Sequence, residues 1–360
     1  MSRFHRLTVK DVRRETPESV SLTFEIPEEL HEAYRFTPGQ YLTLRAEIDG
    51  EPVQRTYSIC SGLDDGEIRV AIKKVEGGRF SSFANDNLMP QATLEVMPPE
   101  GRFTAAMNGA VSHDYVAFAA GSGITPVLSI VKSVLEREPG SRFTVFYGNQ
   151  ATATIMFREA LEDLKDRFLE RFTLVHVLSR EGQDVQLLHG RLDGARISAL
   201  AQAKLFDPAT VDAVFLCGPG DMAEQARQAL TGLGVAPERI RAELFTPANG
   251  GVPRSAPSAR AQEVADAGAA IEAVYDGHRH SFRMAAGDGN VIDAAHRQGI
   301  ELPSSCKGGM CCTCRAKIVE GEVEMANNYS LEPWELEAGF VLTCQSRPLT
   351  ERVVVDYDEI

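Results

Sequence analysis

Five of the seven cysteines lie in the last sixth of this 360-residue chain. Cys306, Cys311 and Cys314 are spaced C-x4-C-x2-C, and 29 residues separate the last of them from Cys344. Four thiolates with this spacing hold the two irons of a plant-type [2Fe–2S] cluster. A Gly-Gly pair between the first two cysteines lets the loop turn its amide N–H groups toward the sulfurs. The sequence therefore predicts a [2Fe–2S] cluster bound by these four cysteines.

A single zinc ion is the alternative for such a group of cysteines, but zinc sites usually show paired C-x2-C arms. Cys312 lies between two of the proposed ligands, and using it in place of Cys311 changes the spacings to x5 and x1. We interpret Cys312 as a spare thiol beside the cluster. The odd number of cysteines and the polar start MSRFHRLTVKDVRRE favour a reducing cytoplasm over a disulfide framework.

Two short motifs in the N-terminal third have side chains that suit a flavin nucleotide. Arg55, Tyr57 and Ser58 offer a guanidinium for phosphate, an aromatic face for the ring system and a hydroxyl for a ring atom. The segment GGRFSS follows, in which Gly78 and Ser81 open a predicted helix and form a plausible anion site. Each motif taken alone also fits an ordinary strand end and turn.

A third motif suits the phosphates of a dinucleotide. Gly121, Gly123 and Thr125 follow the apolar segment YVAFAA and open a predicted helix, where backbone N–H groups favour a phosphate. The motif is not G-x-G-x-x-G, so the standard dinucleotide fingerprint is not met. Cys217 and Gly218 end another apolar segment and should reach the same carboxyl edge of a parallel sheet.

The choice between NADPH and NADH depends on the charges near the ribose. A 2′-phosphate is read by Arg or hydroxyl groups, whereas a free 2′-OH is usually read by Asp or Glu. Ser179 and Arg180 follow the segment TLVHVL, and the preceding predicted strand ends YGNQ without an acid. NADPH is therefore favoured over NADH, although Gln150 stands where an additional Arg would strengthen the site.

Along the chain, the pattern of apolar residues predicts several domains. Short alternating segments predict an antiparallel β-barrel over residues 1–106. Continuous apolar runs that alternate with helical segments predict an α/β domain with a parallel sheet over 107–246. Residues 247–267 consist mainly of Pro, Gly, Ala and Ser, and this composition predicts a linker. A hairpin, the cysteine loop and a strand-rich tail predict an α+β domain over 268–360.

Composition excludes several classes of protein. The 37 Lys and Arg against 51 Asp and Glu give a net charge of −14, which argues against a nucleic-acid partner. No apolar run approaches the roughly 18 residues of a membrane span. The sequence shows no Rieske pair, no E-x-x-H pair for two irons and no haem-attachment motif, so the electrons are expected to leave for another protein.

The motifs in this order resemble the ferredoxin–NADP⁺ reductase superfamily over residues 1–246, and the segment DGNVIDAAHRQGIELPSSCKGGMCCTC resembles a plant-type ferredoxin of the β-grasp type. The resemblance implies FAD, or FMN as in some fused relatives, at the first site and NADPH at the second. It implies that Cys217 and Gly218 lie near the nicotinamide, and that Glu243 and Phe245 end the reductase part with the Phe near the flavin face. It also implies roles for the other motif residues: Arg55 at the flavin pyrophosphate, Tyr57 against the flavin ring, Ser58 near N5, Gly78 and Ser81 at flavin phosphate, and Gly121, Gly123 and Thr125 at the nicotinamide nucleotide's pyrophosphate.

The order of the three modules resembles the reductase components of bacterial multicomponent oxygenases. The resemblance implies an electron path from NADPH through FAD and the cluster to an oxygenase or epoxidase component. Reductases of ketosteroid hydroxylases and of hybrid-cluster proteins share this order and remain alternatives. A redox sensor and a non-catalytic docking subunit are further alternatives, the second opposed by the intact flavin and cysteine motifs.

Overall fold

The computed structural model describes residues 4–105, 107–245, 255–331 and 333–359. It divides into two compact units, residues 1–249 and residues 250–360, which we treat separately. The predicted α/β domain begins directly after an undescribed residue, 106, and its last residue, 246, also lies outside the described ranges. The first part of the predicted linker, up to Arg254, lies outside them as well. Among the described residues, no helix combines the length and apolar composition needed to cross a bilayer.

The first part of unit 1 is an antiparallel sheet with strand order β4-β3-β6-β1-β2-β5. A bridge between Ile59, just after β4, and Val70 of β5 joins the two edges of the sheet. Apolar side chains from alternate strand positions, such as Leu22 and Leu42, fill the interior. This confirms the predicted barrel. Its elements are β1 (His5–Thr16), β2 (Ser19–Glu25), β3 (Tyr41–Ile48), β4 (Glu51–Ser58), β5 (Ile68–Lys73), α1 (Arg79–Asp86) and β6 (Thr93–Val96).

The second part of unit 1 is a parallel sheet with strand order β11-β10-β7-β8-β9. Its strands are buried on both faces: Ala117 of β7 lies in the core that includes side chains of α2 and α3, whereas Phe118 lies in the core that includes side chains of α4 and α5. The continuous apolar runs in the sequence reflect this double burial. The elements are β7 (Asp114–Ala120), α2 (Ile124–Arg137), β8 (Arg142–Asn149), α3 (Arg158–Arg167), β9 (Phe172–Leu178), α4 (Gly194–Gln202), β10 (Ala213–Pro219), α5 (Gly220–Gly232) and β11 (Ile240–Phe245).

Unit 2 contains a mixed sheet with strand order β13-β12-β18-β14-β16, in which β12 and β18 are parallel, and a second pair of strands, β15 and β17. This agrees with the predicted α+β arrangement, and the predicted hairpin is β12 with β13. The elements are α6 (Ala259–Ala267), β12 (Ala270–Tyr275), β13 (His278–Arg283), α7 (Val291–Arg297), β14 (Arg315–Glu320), β15 (Val323–Met325), α8 (Pro333–Glu337), β16 (Phe340–Leu342), β17 (Ser346–Pro348) and β18 (Arg352–Asp356).

The structure differs from the sequence prediction in the second half of the predicted linker. Residues 259–267 form helix α6, whose Ala261 and Val264 are buried in unit 2. The Ser258 side chain accepts a hydrogen bond from the Ala261 amide and begins the helix, and Gly268 ends it with φ +82°. Alanine-rich helices carry little apolar contrast, and this explains why the periodicity was not visible in the sequence.

Candidate functional site

The carboxyl edge of the parallel sheet brings the dinucleotide motif against the end of β10. After β7, residues 121–123 form a single 3-10 turn that leads into α2. A Cβ on Gly123 would lie 2.1 Å from the carbonyl oxygen of Cys217, so only glycine permits this packing. Thr125 donates its hydroxyl hydrogen to the Ser122 carbonyl at 2.9 Å and closes the turn. Gly121, Gly123, Thr125, Cys217 and Gly218 are thus brought together, as expected from the sequence.

A hydrogen bond joins the barrel to this edge of the sheet. The Ser58 hydroxyl at the end of β4 donates to Oε2 of Glu243 in β11 at 3.1 Å. Glu243 is the register partner of Cys217 on β10. Burial raises the pKa of Glu243 to about 7, and the hydrogen bond from Ser58 opposes that rise. Burial also raises the pKa of the Cys217 thiol, which is fully enclosed. The neutral thiol of Cys217 and the carboxyl of Glu243, which titrates near neutral pH, therefore belong to neighbouring positions of the sheet.

The remaining residues of the first flavin motif lie along β4, and Phe245 lies at the end of β11. Arg55 is exposed and donates to the carbonyl of Gln54 at 2.7 Å, so its guanidinium stays at the surface. Tyr57 is half-buried, with its ring centroid 5.6 Å from that of Phe80 in α1. Phe245 packs half-buried against the sheet core. Two partly exposed aromatic side chains are therefore available to contact a planar ring.

The second flavin motif forms a tight loop at the start of α1. A Cβ on Gly78 would lie 2.4 Å from both the Ser81 hydroxyl and the Val75 side chain, so a larger residue here would displace these two side chains. The buried Ser81 hydroxyl accepts from the Val75 amide at 3.2 Å and donates to the Gly78 carbonyl at 3.1 Å. Ser81 therefore shapes the loop, and the first-turn amides of α1, which have no acceptor within the helix, are available to an anion.

Lys73 is a functional candidate that the sequence motifs did not identify. It ends β5 four residues before Gly77, and its ammonium lies 3.9 Å from the position of a Cβ on Gly121. The side chain is half-buried and forms no ion pair with any described residue. A cation beside the Gly121 turn fits an anionic ligand. In the sequence, the two lysines of IRVAIKK were the available signal for a cation near a phosphate. Only the tertiary contact shows that Lys73 is the lysine that reaches the Gly121 turn.

The predicted ribose-recognition residues continue the pairing of β8 with β9. The Ser179 amide donates to the Asn149 carbonyl at 3.0 Å, and the Arg180 amide donates to Gln150 at 2.8 Å. The Arg180 side chain is exposed. Glu181 follows, but its carboxylate accepts from the amide and the hydroxyl of Thr152, each at 2.7 Å, and these bonds lower its pKa. The carboxylate of Glu181, the acid that follows the predicted ribose-recognition residues, is therefore already bound by Thr152.

In unit 2 the four predicted cluster ligands lie in two neighbouring pairs. Hydrogen bonds link the thiols of Cys306 and Cys311, and those of Cys314 and Cys344. The bond from the Cys311 thiol lowers the pKa of Cys306, and backbone amides lower it further. Gln345 donates its amide to the Cys344 sulfur at 3.3 Å. N–H groups directed at sulfur stabilise negative charge there.

The pairing of the thiols can be compared with the two metal centres considered for the sequence. A zinc site requires four donors around one ion, whereas each iron of a [2Fe–2S] cluster takes two thiolates. Two pairs of thiols fit the two-iron arrangement.

Cys312 lies beside this group in a strained backbone conformation. Its φ is +56°, in the left-handed region, and its thiol donates to the Ser330 carbonyl at 3.7 Å. The thiol is therefore directed toward the 328–331 segment. Its interpretation as a spare thiol stays a prediction.

Comparisons with known proteins give a consistent result along the whole chain. An oxidoreductase FAD-binding domain matches residues 6–105, an oxidoreductase NAD-binding domain matches 118–228, and a 2Fe-2S iron-sulfur cluster binding domain matches 274–349. These matches confirm the predicted order of modules and the three classes of cofactor.

Two curated relatives match over nearly their full length. The chain is 46% identical to a component of the 1,2-phenylacetyl-CoA epoxidase of Escherichia coli (strain K12), over 99% of both chains. It is 34% identical to the ferredoxin reductase component of 3-ketosteroid-9-alpha-monooxygenase from Rhodococcus rhodochrous, over 98% of this chain and 96% of that one. The structure of phthalate dioxygenase reductase has the same fold, with a TM-score of 0.57 over 98% of both chains at 18% identity.

Proposed function

The chain belongs to the family of modular reductases that pass electrons from a nicotinamide nucleotide through FAD and a [2Fe–2S] cluster to an oxygenase, and from this premise we propose that its donor is NADPH and its acceptor is an epoxidase. When bound, FAD converts hydride donation into single-electron transfer, and the cluster relays the electrons one at a time. The protein itself binds and orients the cofactors and controls the movement of protons.

The path from nucleotide to flavin, on which this proposal depends, is supported by one observation, the contact between Ser58 and Glu243. Ser58 belongs to the proposed flavin motif of the barrel and Glu243 to the proposed nucleotide edge of the sheet, so the two proposed sites adjoin, as direct hydride transfer requires. Ser58 orients the Glu243 carboxyl, which exchanges a proton near neutral pH. Arg55 and the Gly78 loop would hold the flavin phosphates. The Gly121 turn and Lys73 would hold the phosphates of the nucleotide.

The preference for NADPH is supported by the charges at the ends of β8 and β9. Arg180 is an exposed cation, Ser179 adds a hydroxyl, and Thr152 binds the carboxylate of Glu181. A 2′-phosphate is attracted by this arrangement, whereas a ribose 2′-OH lacks a carboxylate to bind. Arg180→Ala should therefore raise the KM for NADPH about tenfold and leave the KM for NADH nearly unchanged.

The proposed acceptor is the oxygenase component of a phenylacetyl-CoA epoxidase, as part of aerobic phenylacetate degradation. The support is 46% identity to an epoxidase component, compared with 34% to a ketosteroid monooxygenase reductase. A ketosteroid hydroxylase and a hybrid-cluster protein are the alternative acceptors, and a redox sensor is the alternative role. We also infer a cytoplasmic location, because an odd number of cysteines makes a poor disulfide framework.

The order of electron transfer is tested by removing one cluster ligand. Cys344→Ser should retain NADPH-dependent ferricyanide reduction, which the flavin supports directly, and should lose cytochrome c reduction. Cys312→Ser is the matched control, since it replaces a neighbouring thiol that is not a proposed ligand, and it should retain both activities. Equal loss of both activities in Cys344→Ser would contradict the sequence from flavin to cluster.

The donor and the acceptor are tested separately. An anaerobic titration should bleach the flavin and cluster absorption at lower concentrations of NADPH than of NADH. Turnover with the purified epoxidase component and phenylacetyl-CoA should then consume NADPH in proportion to epoxide formed. Efficient turnover with a ketosteroid hydroxylase alone would replace the proposed acceptor and leave the reductase chemistry intact.

A further inference from the structure

A buried tyrosine lies directly behind the nucleotide turn. Tyr147 is fully buried near the end of β8, and its hydroxyl donates to the carbonyl of Gly121 at 2.9 Å. Burial raises the pKa of Tyr147, so the hydroxyl stays protonated and can donate. No motif in the sequence marks this residue, because only the packing of β8 against β7 brings it to the turn.

The hydrogen bond fixes the direction of one peptide group. In a trans peptide the C=O and the following N–H point in opposite directions within one plane. When Tyr147 and the Ile124 amide hold the Gly121 carbonyl, the Ser122 N–H is directed away from them. That N–H belongs to the first turn preceding α2, whose amides have no acceptor within the helix.

Gly121 needs such a restraint because of its backbone conformation. Its φ is +54°, and glycine adopts positive and negative φ about equally well. No neighbouring side chain fixes this residue by close packing, since the nearest atom to a Cβ on Gly121 is the Lys73 ammonium at 3.9 Å. Asn149, two residues along the same strand face, is also buried, and its side chain lies beside the Tyr147 hydroxyl. Polar groups are thus concentrated behind the turn, within an otherwise apolar sheet.

We propose that Tyr147 is a positioning residue for the nicotinamide nucleotide, which holds the Gly121–Ser122 peptide with its N–H toward the pyrophosphate. The inference rests on the proposed role of the 121–125 turn as the pyrophosphate site. Tyr147 does not touch the nucleotide itself. It reduces the conformational freedom that the turn would otherwise lose on binding.

Tyr147→Phe removes the hydroxyl and keeps the ring. The KM for NADPH and the KM for NADH in ferricyanide reduction should each rise about three- to tenfold, the range expected for one lost hydrogen bond. The two factors should be equal because the pyrophosphate is common to both nucleotides. The kcat at saturation and the flavin spectrum should not change. The Kd for NADP⁺, from the difference spectrum of the oxidised holoprotein, should rise by the same factor.

Tyr34→Phe is the matched control. Tyr34 is 2% exposed, and its hydroxyl donates to the Val96 carbonyl at 2.7 Å inside the barrel. This variant loses an equivalent buried hydrogen bond away from the nucleotide turn, so both KM values should stay at the wild-type level. Equal increases in KM for Tyr34→Phe and Tyr147→Phe would show a general loss of stability and would overturn the inference.

Gly121→Ala separates failure of this inference from failure of the proposed site. A Cβ has space at this position but strains the left-handed backbone of the turn. If Gly121→Ala weakens NADP⁺ binding and Tyr147→Phe does not, the turn is the nucleotide site and Tyr147 does not position it. If neither substitution changes the Kd, the assignment of the turn itself is wrong, and the inference falls with it.

Discussion

At the scale of single residues, the Glu243 carboxyl links protein stability to pH. Its pKa is about 7 in the folded protein and 4.5 when exposed. Between these values the folded state binds the proton more tightly than the unfolded state, so stability falls as pH rises and the loss is complete above pH 7. Glu243→Gln should therefore gain stability relative to the wild type from pH 5 to 8, by at most about 3 kcal/mol.

This comparison is made by denaturant unfolding of unit 1, followed through flavin release at several pH values. Ser58→Ala provides a second test because it removes the hydrogen bond that favours the ionised carboxylate. The pH range over which the stability of the protein falls should then move to higher pH. Wild-type and Glu243→Gln profiles that run parallel would show that Glu243 does not titrate in this range.

Cys312 gives a second prediction at the residue scale. A side chain at φ +56° is strained by about 1–2 kcal/mol, and glycine relieves this strain at some cost in chain entropy. Cys312→Gly should slow the bleaching of the cluster at high temperature by up to about fivefold, equivalent to about 1 kcal/mol. Cys312→Ser keeps the Cβ and should bleach like the wild type. A changed cluster spectrum in both variants would identify Cys312 as a ligand.

At the scale of elements, the sequence predicts what depends on local pattern. The apolar runs of β7 to β10 are confirmed as parallel strands, and the alternating segments as barrel strands. The alternation is weak in strand β1, because charged side chains such as Arg13 and Arg14 interrupt its pattern. Lys73 and Tyr147 were missed because each acts through a contact with Gly121 that is distant in sequence.

Helix α8 is held to its sheet by a buried ion pair, which gives a prediction for that element. Glu335 is fully buried and accepts from Nε of Arg315 at 2.7 Å. The guanidinium also stacks on Phe340, 3.5 Å from its ring centroid. Glu335→Ala leaves a mostly buried cation without its carboxylate and should destabilise unit 2 by about 3 kcal/mol. Heating should bleach the cluster earlier, while the flavin absorption of unit 1 is lost at the wild-type temperature.

The control uses another ion pair of the same strand. Lys317 of β14 pairs with Glu359 at 3.3 Å, and both side chains are partly exposed to water. Glu359→Ala should change the stability of unit 2 by less than about 1 kcal/mol. If both substitutions shift cluster loss equally, the buried pair contributes no more than a surface pair.

At the scale of the whole molecule, charge controls which electron acceptors approach. The chain has a net charge of −14, and residues 268–360 alone carry 15 acidic and 8 basic side chains. Half of this charge therefore lies in the quarter of the chain that holds the cluster ligands. Such a surface attracts cationic proteins and repels small anions over distances of about a Debye length.

The two artificial acceptors should therefore respond to salt in opposite directions. Raising the ionic strength from 0.01 to 0.15 M shortens the Debye length from about 30 Å to about 8 Å. The kcat/KM for cytochrome c, a basic protein, should fall severalfold because its attraction is screened. The kcat/KM for ferricyanide, an anion, should rise because its repulsion is screened. A neutral quinone acceptor serves as the control and should respond little, so parallel changes for all three acceptors would mean that salt acts on nucleotide binding or on the fold instead of on acceptor encounter.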